Sequence, residues 1–399
     1  MAWSACLGGA PRGVLAVLLL GCASADSGDI IKKVVNTPWW PAGSEKTAES
    51  VGIISHGFVY MTAMMELNET LEKTMLQETW DVRDIAFAAG ANLSDLVDCL
   101  VNAPKGQGET VRAALMSVLP ASVRASPPAL TVVEMPGEYQ FVGNSIACVA
   151  NIPDGKSARQ SWRHKGIYAV SARGLMFLEG SLASSDCEGD AFHETEDIAR
   201  RMLETSGNDS TLVDCTAFVA QISEASEVRR AIKEVTQTTK VVPALTIVQA
   251  QRLPKKSVLL RCTADVSGGA QQLRSESEES TEGLVLTQSF AFTSAQLAWN
   301  STGLDALESL GRLLQRAQLT LKEVISCSFF VKDQNKVFDL FGGFFQVFNQ
   351  ELMRTGSPRE NPPPPARGEY EAPSECAECQ VAAKCVAARK APTDLEMLV

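Results

Sequence analysis

Positive charge and histidine are both scarce in this sequence. It contains 36 Lys and Arg against 47 Asp and Glu, a formal net charge of -11, and only three His among 399 residues. An acidic surface repels phosphate backbones, and no basic cluster is interleaved with aromatic residues, so we predict no nucleic-acid partner. The three His occupy unrelated positions, which argues against a histidine-based site.

Long apolar runs are also missing, except near the N-terminus. Residues 1–25 hold one charged residue, the apolar run Val14–Gly21 and a final Ala-Ser-Ala, a pattern typical of a signal peptide cleaved before Asp26. Nothing after it is long enough to cross a bilayer. We predict a chain of the secretory pathway or a secreted chain, with no membrane attachment after signal removal. Two alternatives stay open: a lipoprotein signal at Leu19–Cys22, and a bipartite address to a plastid.

One short stretch beginning with Pro-Ala occurs three times and divides the rest of the chain. Its third residue is leucine in two copies and arginine in the last one. If the stretch forms a binding site for an anion, only the third copy supplies a guanidinium. The copies are Pro128-Ala129-Leu130, Pro243-Ala244-Leu245 and Pro365-Ala366-Arg367.

Two cysteine positions repeat with a similar period. One lies in the predicted strand after the first helix of each copy, and the other lies in the last strand. A period above one hundred residues is a whole domain, because solenoid units have 20 to 50 residues. We therefore predict three copies of one small α/β domain. The cysteines are Cys99, Cys215 and Cys327, which are 116 and 112 residues apart, and Cys148, Cys262 and Cys385.

The order of strand and helix signals sets the domain boundaries. Residues 266–283 are rich in Ser, Glu, Gln and Gly, which bury too little apolar surface to fold, so we predict a flexible linker there. The predicted organisation is a signal peptide at 1–25, a lead-in at 26–50, repeat 1 at 51–152, repeat 2 at 161–265, the linker, repeat 3 at 284–390 and a tail at 391–399.

This succession of features resembles the Rid family, also called YjgF/UK114. In the first copy the resemblance rests on Glu78-Thr79, Ala88-Ala89-Gly90, Leu96–Val101 and Pro128-Ala129. It implies RidA-like (chorismate-mutase-like) α/β domains, each a mixed β-sheet with two helices on one face, which assemble as trimers. Three linked copies can close such a ring within one chain, so we predict an intramolecular pseudo-trimer that is a monomer in solution.

The resemblance also implies where a site would lie. In Rid proteins an arginine at the seam between subunits holds the carboxylate of an imine or enamine acid. The resemblance therefore implies a substrate-binding site with Arg367 and with Ser294 and Gln296 as its polar lining. The alternative for Arg367 is a surface residue paired with Glu369 or Glu371. Leu130 and Leu245 either line apolar pockets or, as the simpler interpretation, seal the other seams.

The departures from the family pattern leave two functional hypotheses. The family has an acid in the last strand, where this chain has Ser145, Leu259 and Ala382. The first hypothesis is a 2-iminobutanoate/2-iminopropanoate (enamine/imine) deaminase without cofactors at one surviving seam, whose catalytic residues stay unassigned. The second is a non-catalytic protein that binds a small carboxylate, an imino or keto acid, or a protein partner. Glu179, where the family has serine, is either a displaced catalytic carboxylate or a solvated residue.

Cysteine number adds one constraint. Nine cysteines follow residue 25, so at least one is unpaired. The repeated cysteines are either small core residues or within-repeat disulfides, if their strands adjoin. The spacing of Cys376 and Cys379 occurs in redox and zinc sites, but no second pair follows, so we predict no metal.

Overall fold

The computed structural model describes most of the chain beyond residue 32. The described residues are 33–35, 51–63, 70–135, 146–187, 189–239, 241–251, 253, 256–273, 283–333, 336, 339–340, 342–344, 346–348, 365–376 and 378–390, with the side chains of 34, 71, 72, 367–369 and 371 outside this description.

Repeat 1 is a mixed sheet with helices packed on one face. The first helix buries Met75, Val82 and Ile85, which recur at helical spacing, against the sheet. It ends where Gly90 adopts a φ of 86°, so that Ala91 N donates to Ala86 O at 2.8 Å. The elements are β1 (Lys33–Val34), β2 (Gly52–Ser55), β3 (Phe58–Ala63), α1 (Leu71–Ala88), β4 (Leu96–Ala103), α2 (Gly108–Val118), α3 (Ala121–Ala125), β5 (Ala129–Glu134) and β6 (Ile146–Asn151).

Repeats 2 and 3 have the same plan. Repeat 2 comprises β7 (Gln160–His164), β8 (Ile167–Ala172), β9 (Leu175–Leu182), α4 (Ala191–Ser206), β10 (Thr211–Val219), α5 (Ala225–Val235), β11 (Ala244–Gln249) and β12 (Val258–Asp265). Repeat 3 comprises β13 (Gln271–Leu273), β14 (Leu284–Leu286), β15 (Phe290–Thr293), β16 (Gln296–Ala298), α6 (Leu304–Gln315), β17 (Val324–Val331), β18 (Ala366–Glu371) and β19 (Val381–Ala388), with further helical residues between 339 and 348.

The three sheets have one strand order. It is β1-β2-β3-β6-β4-β5 in repeat 1, β7-β8-β9-β12-β10-β11 in repeat 2 and β13-β14-β15-β19-β17-β18 in repeat 3. In each sheet the Pro-Ala strand is parallel to the strand that carries the first repeated cysteine, while the last strand is antiparallel to it. The predicted fold class, three tandem mixed α/β domains, is confirmed.

The repeated cysteines form one disulfide within each sheet. The partners lie directly opposite each other on adjacent antiparallel strands, with Cα atoms 4.1 to 4.2 Å apart. A fourth disulfide joins Cys376 to Cys379, and Cys187 is the free cysteine of the described residues. The pairs within the sheets are Cys99–Cys148, Cys215–Cys262 and Cys327–Cys385.

Three segments differ from the sequence-based expectation. Residues 52–65 alternate and are rich in strand formers, which predicts one strand, but His56 and Gly57, with φ of 48° and 76°, turn it into the β2–β3 hairpin. The lead-in contributes β1 to the first sheet. The expected linker 266–283 contains β13, whose Leu273 pairs with Leu284 and packs against the third core, so a short hairpin overrides the polar composition.

The repeats close into a ring around two apolar clusters that all three share. The first shared cluster includes Phe58 from repeat 1, Phe177 from repeat 2 and Phe290 from repeat 3, with ring centroids 5.9 to 6.0 Å from Phe58. The second shared cluster includes Leu100 from β4, Phe218 from β10 and Phe330 from β17. The pseudo-trimer therefore has an interior of its own, beside the core of each repeat.

No helix among the described residues has the length and apolar character needed to cross a membrane.

Candidate functional sites at the seams

Each seam joins the Pro-Ala strand of one repeat to the early strand of the next. β5 packs on β9, β11 on β15, and β18 on β3. At the first two seams a threonine hydroxyl accepts a backbone hydrogen bond from the neighbouring repeat. Thr131 Oγ1 accepts from Gly180 N at 2.8 Å, and Thr246 Oγ1 accepts from Ala295 N at 3.1 Å. The corresponding residue of the third seam is Gly368, which has no hydroxyl.

The early strands of the repeats also differ between the first two seams and the third. In repeat 2 the pairing of β9 with β12 shifts register opposite Gly180, and in repeat 3 the pairing with β19 is interrupted between β15 and β16. These irregularities free the two N–H groups that the threonines bind. In repeat 1 the pairing of β3 with β6 is regular as far as Ala63. The third seam is therefore built differently from the other two.

The structure brings together Ser294 and Gln296, two of the predicted site residues. Both are buried; Ser294 Oγ accepts from Gly283 N at 2.7 Å, and Gln296 Nε2 donates to Ser294 O at 3.2 Å. They lie at the seam of repeats 2 and 3, beside the Thr246–Ala295 hydrogen bond. Hydrogen bonds within repeat 3 thus occupy both side chains.

Arg367 belongs to a different seam. Arg367 lies on β18, the strand that faces repeat 1, and its backbone pairs with Cys327 of β17. Its side chain lies outside the described residues. Two strands, β19 and β17, separate β15 and β18, which places them about 14 Å apart at the usual spacing between strands. The structure therefore does not assemble Arg367 with Ser294 and Gln296 at one seam.

The leucines that replace the family arginine do not seal seams, contrary to our expectation. Leu130 packs in the core of repeat 1 and Leu245 in the core of repeat 2, each 3 to 4% exposed beneath the helices. At the positions of the family acid, Ala382 lies in the second shared cluster and Leu259 packs against it. Ser145 lies outside the described residues.

Glu179 is the one carboxylate considered in the sequence that lies at a seam. Its Oε1 accepts from Tyr168 N at 3.2 Å and lies 3.1 Å from an Arg163 nitrogen. Burial raises the pKa of Glu179, while Arg163 and Arg112 oppose that rise. Both direct partners belong to repeat 2, as Glu179 itself does, and only the electrostatic attraction to Arg112 reaches repeat 1.

Two buried ion pairs between repeats were not predicted from the sequence. Asp98 of repeat 1 binds Arg261 of repeat 2, and Asp214 of repeat 2 lies 2.8 Å from Lys384 Nζ of repeat 3. Lys384 also donates to Thr216 Oγ1 at 2.7 Å. Burial raises the pKa of Asp98 and lowers that of Lys384, and the opposite charges counter both shifts.

The third seam has lost both partners of this arrangement. Ser326 stands where the other repeats have the aspartates, and Ala147 stands where they have the cations. A sequence signal for the pairs does exist, since a charged residue directly precedes a cysteine within an apolar strand at all four positions. These positions are Asp98-Cys99, Asp214-Cys215, Arg261-Cys262 and Lys384-Cys385.

Comparison with known proteins agrees with this architecture. No protein-family model and no curated protein matches the chain. Among solved structures, a chorismatase is similar over 82% of this chain and 98% of its own, with a TM-score of 0.52 and 10% identity. The chain has the fold of three tandem RidA-like domains.

Individual Rid-fold proteins align with parts of the chain. A member of the YjgF/YER057c/UK114 family from Mycobacterium tuberculosis is 16% identical, and a Rid-family protein from Yersinia pestis is 15% identical. Each alignment covers 30% of this chain and 100% or 99% of the other protein, with TM-scores of 0.25. Within the described part of this Rid-fold chain, no group of three or more His, Cys, Asp or Glu could hold a metal ion.

Proposed function

We propose that this chain is a non-catalytic member of the Rid fold that binds a small carboxylate, such as a 2-keto or imino acid, at the seam of repeats 3 and 1. One observation carries the proposal: in repeats 1 and 2 the arginine position holds a leucine that packs in the core of its repeat, so these two repeats have no cation there. Imine hydrolysis by the family mechanism needs a cation for the carboxylate and an acid that places water. Neither group is present at those positions.

The third seam supplies the cation. Arg367 stands at the arginine position, on the strand that faces repeat 1, and a guanidinium binds a carboxylate through two parallel hydrogen bonds. The glycine at 368 leaves this seam without the hydroxyl that occupies the other two. The acid position, Ala382, is apolar and buried. These features support binding without turnover.

Replacement of Arg367 by leucine tests the binding site. A hydrogen bond to a charged group contributes about 1.5 to 3 kcal/mol, so Arg367→Leu should weaken binding of pyruvate or 2-oxobutanoate roughly tenfold to a hundredfold. Thermal stability should change little, because leucine is accepted at Leu130 and Leu245. Calorimetric titration of both proteins measures the two affinities. Chorismate is tested as a further ligand because a protein of the same fold is a chorismatase. Equal affinities, or no binding by either protein, would exclude the site.

Imine deaminase activity is the second candidate, and the retained Arg367 is what favours it. Enzymatically generated iminoalanine offers the direct assay, with ammonia release followed against the uncatalysed rate. We expect the protein to leave that rate unchanged. Turnover that Arg367→Leu abolishes would replace the binding proposal with the enzymatic one.

We further infer that the mature chain is a monomer of the secretory pathway or is secreted, with a plastid reached by a bipartite signal as the alternative. The signal-like residues 1–25 and the three disulfides within the sheets support an oxidising compartment.

A further inference from the structure

The Cys376–Cys379 disulfide differs from the other three in its surroundings. Those three lie inside the sheets, and each of their six cysteines is at most 5% exposed. Cys376, in contrast, is partly exposed, while Cys379 is 2% exposed. A strained or exposed disulfide is the kind that exchanges with thiols, whereas a buried one resists reduction.

The segment that carries this disulfide crosses from repeat 3 to repeat 2. Pro373 O accepts from Gln249 N at 2.8 Å, and Ser374 forms a β-bridge with Val248 at the free edge of β11. Glu375 then binds Arg229 on α5. The disulfide is therefore held at a fixed place against repeat 2.

A positively charged groove of about 600 Å³ adjoins this place. Three cations of α5 line it, against the single carboxylate of Glu375, which precedes Cys376 in the chain. This concentration of positive charge is unusual in a chain with a net charge of -11. The polar lining consists of Ser223, Ser226, Arg229, Arg230, Lys233 and Glu375.

We propose that Cys376–Cys379 is a thiol–disulfide exchange site whose groove selects a small anionic thiol. The carboxylates of that thiol bind the exposed cations Arg230 and Lys233, and its thiolate attacks Cys376 Sγ. The Cys376–Cys379 bond breaks, and Cys379 leaves as a thiolate that takes up a proton. A second thiol attacks the mixed disulfide, which releases the oxidised small molecule and leaves both cysteines reduced.

The groove contributes to the rate of this exchange through its charge. Cations close to a reacting thiol favour its thiolate form, and a charged cleft raises the local concentration of a ligand of opposite sign. A neutral thiol gains only the first of these effects. Comparing an anionic with a neutral thiol therefore separates the attraction of the groove for the anion from the intrinsic reactivity of the disulfide bond.

Glutathione buffers of graded composition test the proposal on the full chain. After quenching and alkylation, peptide mapping should find Cys376 and Cys379 reduced in buffers that leave the three disulfides within the sheets closed. The double variant Arg230→Gln/Lys233→Gln should react about threefold to tenfold more slowly with glutathione. Its reaction with the neutral 2-mercaptoethanol should slow less, because that thiol loses only the effect on its thiolate form. Arg312→Gln, an exposed cation on α6, is the matched control and should react like the wild type.

Two results would overturn the proposal. The first is a Cys376–Cys379 bond that opens only in buffers that also open the disulfides within the sheets. The second is a double variant that reacts with glutathione as fast as the wild type does. That result would show that the groove does not select the thiol, and it would exclude anionic thiols as the substrate class.

Discussion

Replacing Asp98 with serine should lower the free energy of unfolding by about 3 kcal/mol, because it leaves Arg261 buried between two repeats without its partner. The Asp98 side chain is 11% exposed and that of Arg261 17%, so water reaches this pair only in part. The remaining guanidinium would also stay close to Lys384, a second buried cation. Urea denaturation of both proteins measures the loss.

The third seam supplies the matched control for this prediction. It carries Ser326 and Ala147 where the other seams carry charges, so Asp98→Ser/Arg261→Ala copies an arrangement that the fold already contains. When both charges are removed, no unpaired ion is left buried without water. The double variant should therefore be about 2 kcal/mol more stable than Asp98→Ser alone. If the second substitution destabilises the protein further, the two residues do not act as a buried pair.

Loss of a disulfide within a sheet should have the largest effect on stability. Cys215 and Cys262 are 47 residues apart, and closing a loop of that size stabilises the folded state by about 4 kcal/mol in the chain-entropy model. The double variant Cys215→Ala/Cys262→Ala leaves no new free thiol and should lose about this amount in urea denaturation. Cys187→Ser, which removes the free cysteine, should leave the midpoint unchanged. Equal midpoints for wild type and double variant would show that this bond does not form in the protein.

The sequence carried enough signal for the architecture. The Pro-Ala stretches and the repeated cysteines marked the period of the repeats, and the strands that carry the cysteines do adjoin. The prediction failed where short strands depend on pairing rather than on composition. The polar strand β13 is one example, because it exists through its hairpin with β14. The turn at His56 and Gly57 is another, because neither residue is a strong hairpin signal alone.

The candidate site was harder to predict than the fold. The family pattern indicated which residue types matter but not which repeat supplies each of them. Ser294 and Arg367 belong to one repeat, yet strand order places them on opposite flanks of its sheet. A ring of three repeats always joins the early strand of one copy to the Pro-Ala strand of another. Residues of one copy therefore contribute to two different seams.

The buried ion pairs show the same limit. A charged residue beside a cysteine is visible in the sequence, but its partner lies on another repeat, 163 residues away for Asp98 and Arg261. Burial of charge inside an apolar strand costs free energy unless a partner is present, so such positions indicate a contact without naming it.

Sedimentation equilibrium of the purified mature protein tests the closed ring most directly. Because the chain supplies all three repeats and both shared clusters are complete within it, we predict one species with the mass of a single chain at all concentrations. A stable species of three chains would contradict this account, because it would mean that the repeats close on other molecules and not on each other.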